Sequence, residues 1–350
     1  MSKFLRKLLL FTLPVIVLAI IKKAVTPYYF GDDLHAQKLA FFQQNQGLYN
    51  TVLFGSSRVY RHINPAVFDA TLSEYGVGAF NFATPSTMNP ESYYLYEKFL
   101  EELKPGQIRY AVLEAHVLIK LSQNATTTKG SYWNTLKNLS YSLQYLHASS
   151  FSASEKWYST ANYLRSFLYG LVDFGMLNPQ RRARHREQQL PHHQAGYLAL
   201  EDELQQLGAA SMRSQRRAKF QNDTSRLATR IGAAKNQEAY EQKRGQYNAI
   251  HLDRLQRLLL LSEAKGVELF FLLPPRLKEA DYEELVPLLM EFPPERVLSM
   301  YEYPENALFY STVYSFDIGH FNKQGADLFT RKLAELMIER LKNSPNRTRK

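Results

Sequence analysis

The stretch Tyr49-Asn-Thr-Val-Leu-Phe-Gly-Ser-Ser57 decides how this chain is read. Val52, Leu53 and Phe54 form a short apolar run with no polar alternation, closed by Gly55 and two serines. Such a run fits a strand buried on both faces that delivers its carboxyl end to a loop. The same pattern recurs at Gly78-Ala-Phe-Asn-Phe-Ala83 and at Tyr110-Ala-Val-Leu-Glu114. It recurs again at Val267-Glu-Leu-Phe-Phe-Leu-Leu273, which Pro274-Pro275 stops. Helical patterns lie between and after these runs: from Pro65 through Val67, Phe68 and Leu72, over Glu91–Leu103, and from Asn248 through Ile250, Leu252, Leu255, Leu258 and Leu259. Gly266 ends the last of these; Tyr282–Met290 and Lys323–Leu341 follow. Strands alternating with helices predict an α/β fold, a three-layer parallel sheet flanked by helices.

The rhythm breaks between residues 121 and 247. Strand signals vanish, Trp157–Leu171 reads as an aromatic-rich helix, and Leu198–Tyr240 is polar, Gln-rich and mostly helical. This segment is expected to be a helical insertion. It divides the sheet domain into residues 31–120 and 248–342, followed by a basic tail, 343–350.

The first 30 residues read as an N-terminal membrane helix. Lys3, Arg6 and Lys7 precede the apolar run Leu8–Ile21, and Lys22 and Lys23 follow it. Fourteen residues span roughly 21 Å of helix, short of a hydrocarbon core of about 30 Å. Phe4, Leu5, Ala24 and Val25 can extend the run, and flanking lysines can snorkel. No small-residue cleavage site follows. An uncleaved signal anchor is the expectation, with the rest of the chain on the outer side of a cell inner membrane, periplasmic or cell-surface. A cleaved signal and a buried helix of a soluble protein stay open.

Composition narrows the chemistry. The chain has 350 residues, 45% of them hydrophobic, enough for a packed core. It contains no cysteine, which excludes disulfides, thiol catalysis and Cys-ligated zinc. The formal charge of +10 suits an acidic polymer or anionic lipid. Without zinc-finger spacing or an RNP-like motif, nucleic acid is not expected as a partner. His185, His192 and His193 lack well-placed carboxylates, so no metal site is expected, nor any cofactor. The run Arg181–Arg186 reads as a solvated helix face, with anionic lipid or glycan as its functional alternative. Trp133 and Trp157 are the candidate exposed aromatics.

Three segments carry candidate chemistry. Phe54-Gly-Ser-Ser-Arg58 puts a serine on a tight turn at a strand end, where a nucleophile needs exposure, a base and nearby N–H donors. Val59 stands where an α/β-hydrolase elbow would need its second glycine. Asp317-Ile-Gly-His320 puts a carboxylate three residues before an imidazole, spacing that lets it hold Nδ1 and leave Nε2 free as a base. Asn81-Phe-Ala-Thr84, at the second strand end, could supply oxyanion donors. Each has a bland reading: a common loop, a helix-capping region with a surface histidine, an ordinary strand end.

Taken together, these segments resemble the SGNH (GDSL-like) hydrolase superfamily, over about residues 47–120 and 248–342. The resemblance implies a flavodoxin-like sheet, with Ser57 as nucleophile, His320 as base and Asp317 as its orienter. It also implies an oxyanion hole built from Ser57, Ala83 and His116. Two departures stand out: Ala83 occupies the family's glycine position, and Glu114-Ala-His116 replaces its asparagine. Arg58 and Asn81 are candidate substrate-binding residues. With an N-terminal anchor, the chain is similar to the branch that acylates bacterial cell-surface polysaccharides. That implies an esterase or O-acyltransferase acting on such a polymer, with a membrane-bound O-acyltransferase as a candidate partner. The alternative is a catalytically weak module of the same fold that binds glycan or scaffolds a membrane complex.

Overall fold

The computed structural model describes residues 2–173, 195–207 and 211–343. In chain order the elements are α1 (Ser2–Val25), α2 (Asp33–Gln44), β1 (Thr51–Phe54), α3 (Ser57–His62), α4 (Pro65–Thr71), β2 (Ala79–Asn81), α5 (Glu91–Glu102) and β3 (Tyr110–Glu114). Helices α6 (Thr128–Ser131), α7 (Leu136–Ala148), α8 (Ala153–Val172), α9 (Leu200–Leu207), α10 (Met212–Asn222), α11 (Arg226–Lys235), α12 (Gln237–Glu241) and α13 (Ala249–Ala264) follow. The chain closes with β4 (Glu268–Leu273), α14 (Glu279–Leu289), β5 (Val297–Ser299), β6 (Ser315–Asp317), β7 (His320–Phe321) and α15 (Lys323–Asn343).

Two compact units result. One comprises Gln37–Ile119 and Leu190–Lys350 and holds the sheet; the other comprises Met1–Ala36 and Lys120–Gln189. The expected insertion is thus shared: the stretch containing α9–α12 groups with the sheet, and α6–α8 group with the N-terminal helix.

In the sheet unit five parallel strands run in the order β2-β1-β3-β4-β5. Val52, Leu53, Leu113, Phe270, Phe271 and Leu272 are fully buried, as strands covered on both faces require. Helices α3, α4 and α15 pack together, as do α5 and α13. The expected α/β sheet flanked by helices is therefore present. The strand order reverses between β1 and β3, so their carboxyl ends open a crevice at the topological switch point. Ser57 lies at the end of one and Glu114 at the end of the other. Strand β5 and the antiparallel pair β6–β7, which carries Asp317 and His320, add to the four strands read from the sequence.

In the other unit, α1 is a 24-residue helix whose exposed side chains include Leu10, Phe11, Leu13 and Ile16. Among the described residues no helix is long and apolar enough to cross a membrane. The expected membrane helix is thus not borne out among these residues. Lys22, expected to snorkel, is buried and donates to the Gly170 carbonyl at 2.6 Å. Of the two candidate exposed aromatics, Trp133 is buried with Nε1 donating to the Lys129 carbonyl, whereas Trp157 is exposed. The Arg181–Arg186 run, His185, His192, His193 and the tail beyond Asn343 lie outside the described residues.

Candidate active site

Ser57 opens helix α3 directly after β1. Ser56 caps that helix, its Oγ accepting from the Arg58 N–H. As the first helical residue, Ser57 has an N–H with no partner inside the helix. Gly55 is required by close approach: a Cβ there would sit 2.5 Å from Val59 Cγ2 and 2.7 Å from Glu114 Oε2.

The structure brings Ser57, His320 and Asp317 into one chain of contacts. Ser57 Oγ lies 2.9 Å from His320 Nε2 across 263 residues of sequence. His320 Nδ1 lies 2.9 Å from Asp317 Oδ1 and 3.1 Å from Oδ2. Asp317 Oδ1 also accepts from the N–H groups of Gly319 (2.7 Å) and His320 (2.9 Å). Burial raises the Asp317 carboxyl, but the hydrogen bond and charge of His320 and those backbone donors outweigh it and leave the group below its ordinary range. Burial lowers the His320 imidazole below 6.5, and Asp317 offsets this only in part. At neutral pH the imidazole is therefore uncharged. With its Nδ1 proton held by Asp317, Nε2 faces Ser57 as a base.

Two buried residues outside the triad hold this turn. The backbone N–H of Phe321 donates to His62 Nε2 at 3.1 Å, and the His62 ring lies 4.2 Å from that of Phe321. Burial, then the neighbouring His320 and Arg58, keep His62 well below its usual range, in the neutral form that can accept. Arg230, on α11, donates through Nη1 to the Ile318 carbonyl at 2.8 Å and through Nε to the Arg276 carbonyl at 3.2 Å.

The expected oxyanion donors are arranged differently. Asn81 is fully buried and turned inward, its Nδ2 donating to the carbonyls of Val59 and Ile63. Its Oδ1 accepts from the Ala83 N–H at 3.1 Å, so that donor is already engaged. Asn81 thus fastens β2 to α3 and contacts no substrate space. His116 is also turned inward: Nε2 sits 3.0 Å from Glu114 Oε2, and Nδ1 sits 3.1 Å from Arg276 Nη1. Of the three expected donors, the Ser57 N–H is the one these interactions leave uncommitted.

Glu114 supports the Ser56–Ser57 turn instead. Its Oε2 accepts from both the N–H and the Oγ of Ser56 at 2.8 Å. Its Oε1 pairs with Arg276 at 3.1 Å. Burial pushes this carboxyl up, but His116, Arg276 and Arg58 together hold it well below the usual range, so it stays ionised. Arg58 is 3.9 Å from Glu114 Oε1, beyond hydrogen-bond reach, and its buried Nε has no hydrogen-bond partner among the described residues. Burial and the adjacent Arg276 charge lower the Arg58 guanidinium to about 10, still cationic at neutral pH.

Nothing in the sequence distinguishes His62, Arg230 or Arg276 beyond their charge. Among the described residues no group of His, Asp and Glu could hold a metal ion. Compared with protein-family models, curated proteins and solved structures, the chain matches none of them.

Proposed function

We propose that this protein is a serine-dependent acyl-transfer enzyme, an esterase or O-acyltransferase of SGNH type, with Ser57 as nucleophile. One observation carries the reading: the chain Ser57 Oγ, His320 Nε2, His320 Nδ1, Asp317 at 2.9 Å per contact, at the switch point of a parallel sheet. In the proposed reaction Ser57 Oγ attacks the carbonyl carbon of an ester while its proton passes to His320 Nε2. The oxyanion faces the Ser57 N–H. Collapse expels the leaving alcohol, which takes the proton back from His320 and leaves an acyl ester on Ser57. Water or a sugar hydroxyl then attacks that ester, giving up its proton to His320, which passes it to Ser57 Oγ as the acyl–Oγ bond breaks, and both residues are regenerated.

A cell-surface polysaccharide as substrate, a membrane-bound O-acyltransferase as partner and an extracytoplasmic location belong to the same proposal. Their support is the family resemblance and the order of cations and apolar residues over Lys3–Lys23. Arg58, a cation beside the nucleophile with an unpartnered Nε, suits an anionic group on the substrate.

The engaged Ala83 N–H and inward His116 favour a second reading, a weakly catalytic module that binds glycan or scaffolds an acylation complex. Loss of one oxyanion donor costs roughly 10²–10³ in rate. Reaction with a serine-directed phosphonate separates the two. The enzyme reading expects one phosphonate per chain, on Ser57, absent in Ser57→Ala, with ester turnover lost in that variant. An unlabelled wild-type chain with no ester turnover would reject it.

A further inference from the structure

Helix α8 buries its polar side. Its buried residues are Ser159, Asn162, Tyr163 and Ser166. Asn162 and Ser166 are hydrogen-bonded within their own unit. Asn162 Nδ2 donates to the Leu121 carbonyl at 3.0 Å, Ser166 Oγ to the Gly130 carbonyl at 2.8 Å, and Asn134 Nδ2 to Ser166 Oγ at 3.0 Å. The opposite side is apolar and bare. Trp157, Leu164, Leu168 and Val172 are 77%, 42%, 60% and 53% exposed. Spaced i, i+7, i+11 and i+15, they fall within about 80° of arc at 3.6 residues per turn. A helix facing water carries the reverse pattern, so this stripe requires a cover.

The surroundings identify it. From Lys156 to Val172 the helix has two cations and no carboxylate. Helix α1 likewise carries Lys3, Arg6, Lys7, Lys22 and Lys23 with no acidic residue, and exposes apolar side chains along its length. The Lys22–Gly170 bond ties the carboxyl ends of α1 and α8 together. Apolar faces, cationic charge and a tryptophan near one end are the composition of helices that lie in a membrane interface. We infer that the exposed stripe of α8 is a membrane-docking surface that embeds in the acyl-chain boundary of an anionic phospholipid bilayer, alongside α1. The inference does not depend on the chemistry of Ser57.

Trp157 is a built-in reporter, since the only other tryptophan, Trp133, is buried. The full-length protein is reconstituted into phosphatidylcholine–phosphatidylglycerol vesicles with brominated acyl chains. The expected result is quenching of tryptophan emission by the lipid and shielding from aqueous iodide. The quenched component disappears in Trp157→Phe. Leu164→Glu combined with Leu168→Glu alters exposed positions only, and is expected to lose the lipid quenching and restore iodide access while α1 keeps the chain on the vesicle. Trp157 open to iodide and unquenched by bromolipid in vesicle-bound protein would overturn the inference. Shielding in isolated native membranes but not in pure lipid would also overturn it, assigning the stripe to a protein partner.

Discussion

The substitution Asp317→Asn tests the proposed chemistry with the least disturbance of the fold. Oδ1 of Asp317 accepts from two backbone N–H groups, at 2.7 and 2.9 Å. Leaving one buried donor unmet costs about 1–3 kcal/mol, so the amide oxygen of the new side chain is held at that place. Its NH₂ then takes the Oδ2 position, 3.1 Å from His320 Nδ1 in the native protein. An NH₂ there makes Nδ1 an acceptor and sends the imidazole proton to Nε2, which faces Ser57 Oγ at 2.9 Å. The base is then in the wrong tautomer. Such a reversal costs about 10⁴ in turnover, or about 5.4 kcal/mol in the barrier. Here Oδ1 also lies 2.9 Å from Nδ1 and can retain a fraction of the productive tautomer, so a loss of about 10³–10⁴ is expected. The assays are the rate of phosphonate reaction at Ser57 and the turnover of a simple ester at about pH 7.5, above the His320 titration, with circular dichroism to verify the fold. A variant that folds and keeps turnover within about tenfold of wild type would refute the assignment of Asp317 as orienter, since that would leave under about 1.4 kcal/mol for the whole interaction.

Two further outcomes follow from the same geometry. His320 acts as a base only when neutral, and burial lowers its pKa, so ester turnover should be level at neutral pH and fall only below pH 6.5; an acidic limb centred above 6.5 would contradict the burial argument. Arg230 is a positioning residue, so Arg230→Gln should lower kcat more than it raises KM, with Arg230→Lys recovering part of the loss; a change confined to thermal stability would show that its bonds to the Ile318 and Arg276 carbonyls serve the fold alone.

What is legible in the sequence has a physical pattern. Strands β1, β3 and β4 are buried on both faces and therefore read as unbroken apolar runs, which locates the sheet and its crevice. Ser57, Asp317 and His320 can be found because turn chemistry and a three-residue spacing are local. Strands of two or three residues, such as β5 and β7, leave no period to read. Helix α3, Ser57–His62, is six residues long and carries three basic side chains, too short and too polar to register. Arg230 and Arg276 each meet the site through partners about 40 residues or more away in sequence, and nothing local marks them. Helix α8 is legible as a helix, but the face it buries depends on Leu121, Gly130 and Asn134, and those contacts reverse the usual assignment of apolar to inside.

Glu114 bears on the proposed chemistry from behind the turn that carries Ser57. The carboxylate here points back at the Ser56 N–H and Oγ, and a cationic pair surrounds it. Near Glu114 the charges do not balance: Glu114 contributes one negative charge, Arg58 and Arg276 two positive ones. Arg276 contacts Glu114 at 3.1 Å, His116 and the Ala115 carbonyl, whereas Arg58 approaches Glu114 only to 3.9 Å. Arg58, the residue immediately after Ser57, is thus the less tightly paired of the two cations. In a partly buried crevice a fixed cation stabilises developing negative charge more strongly than in solvent and requires no reorganisation as the charge appears. The hold of Glu114 on the turn and the looser pairing it leaves to Arg58 are two consequences of one side chain. Together they offset, in the proposed mechanism, the donors that Ala83 and His116 do not offer.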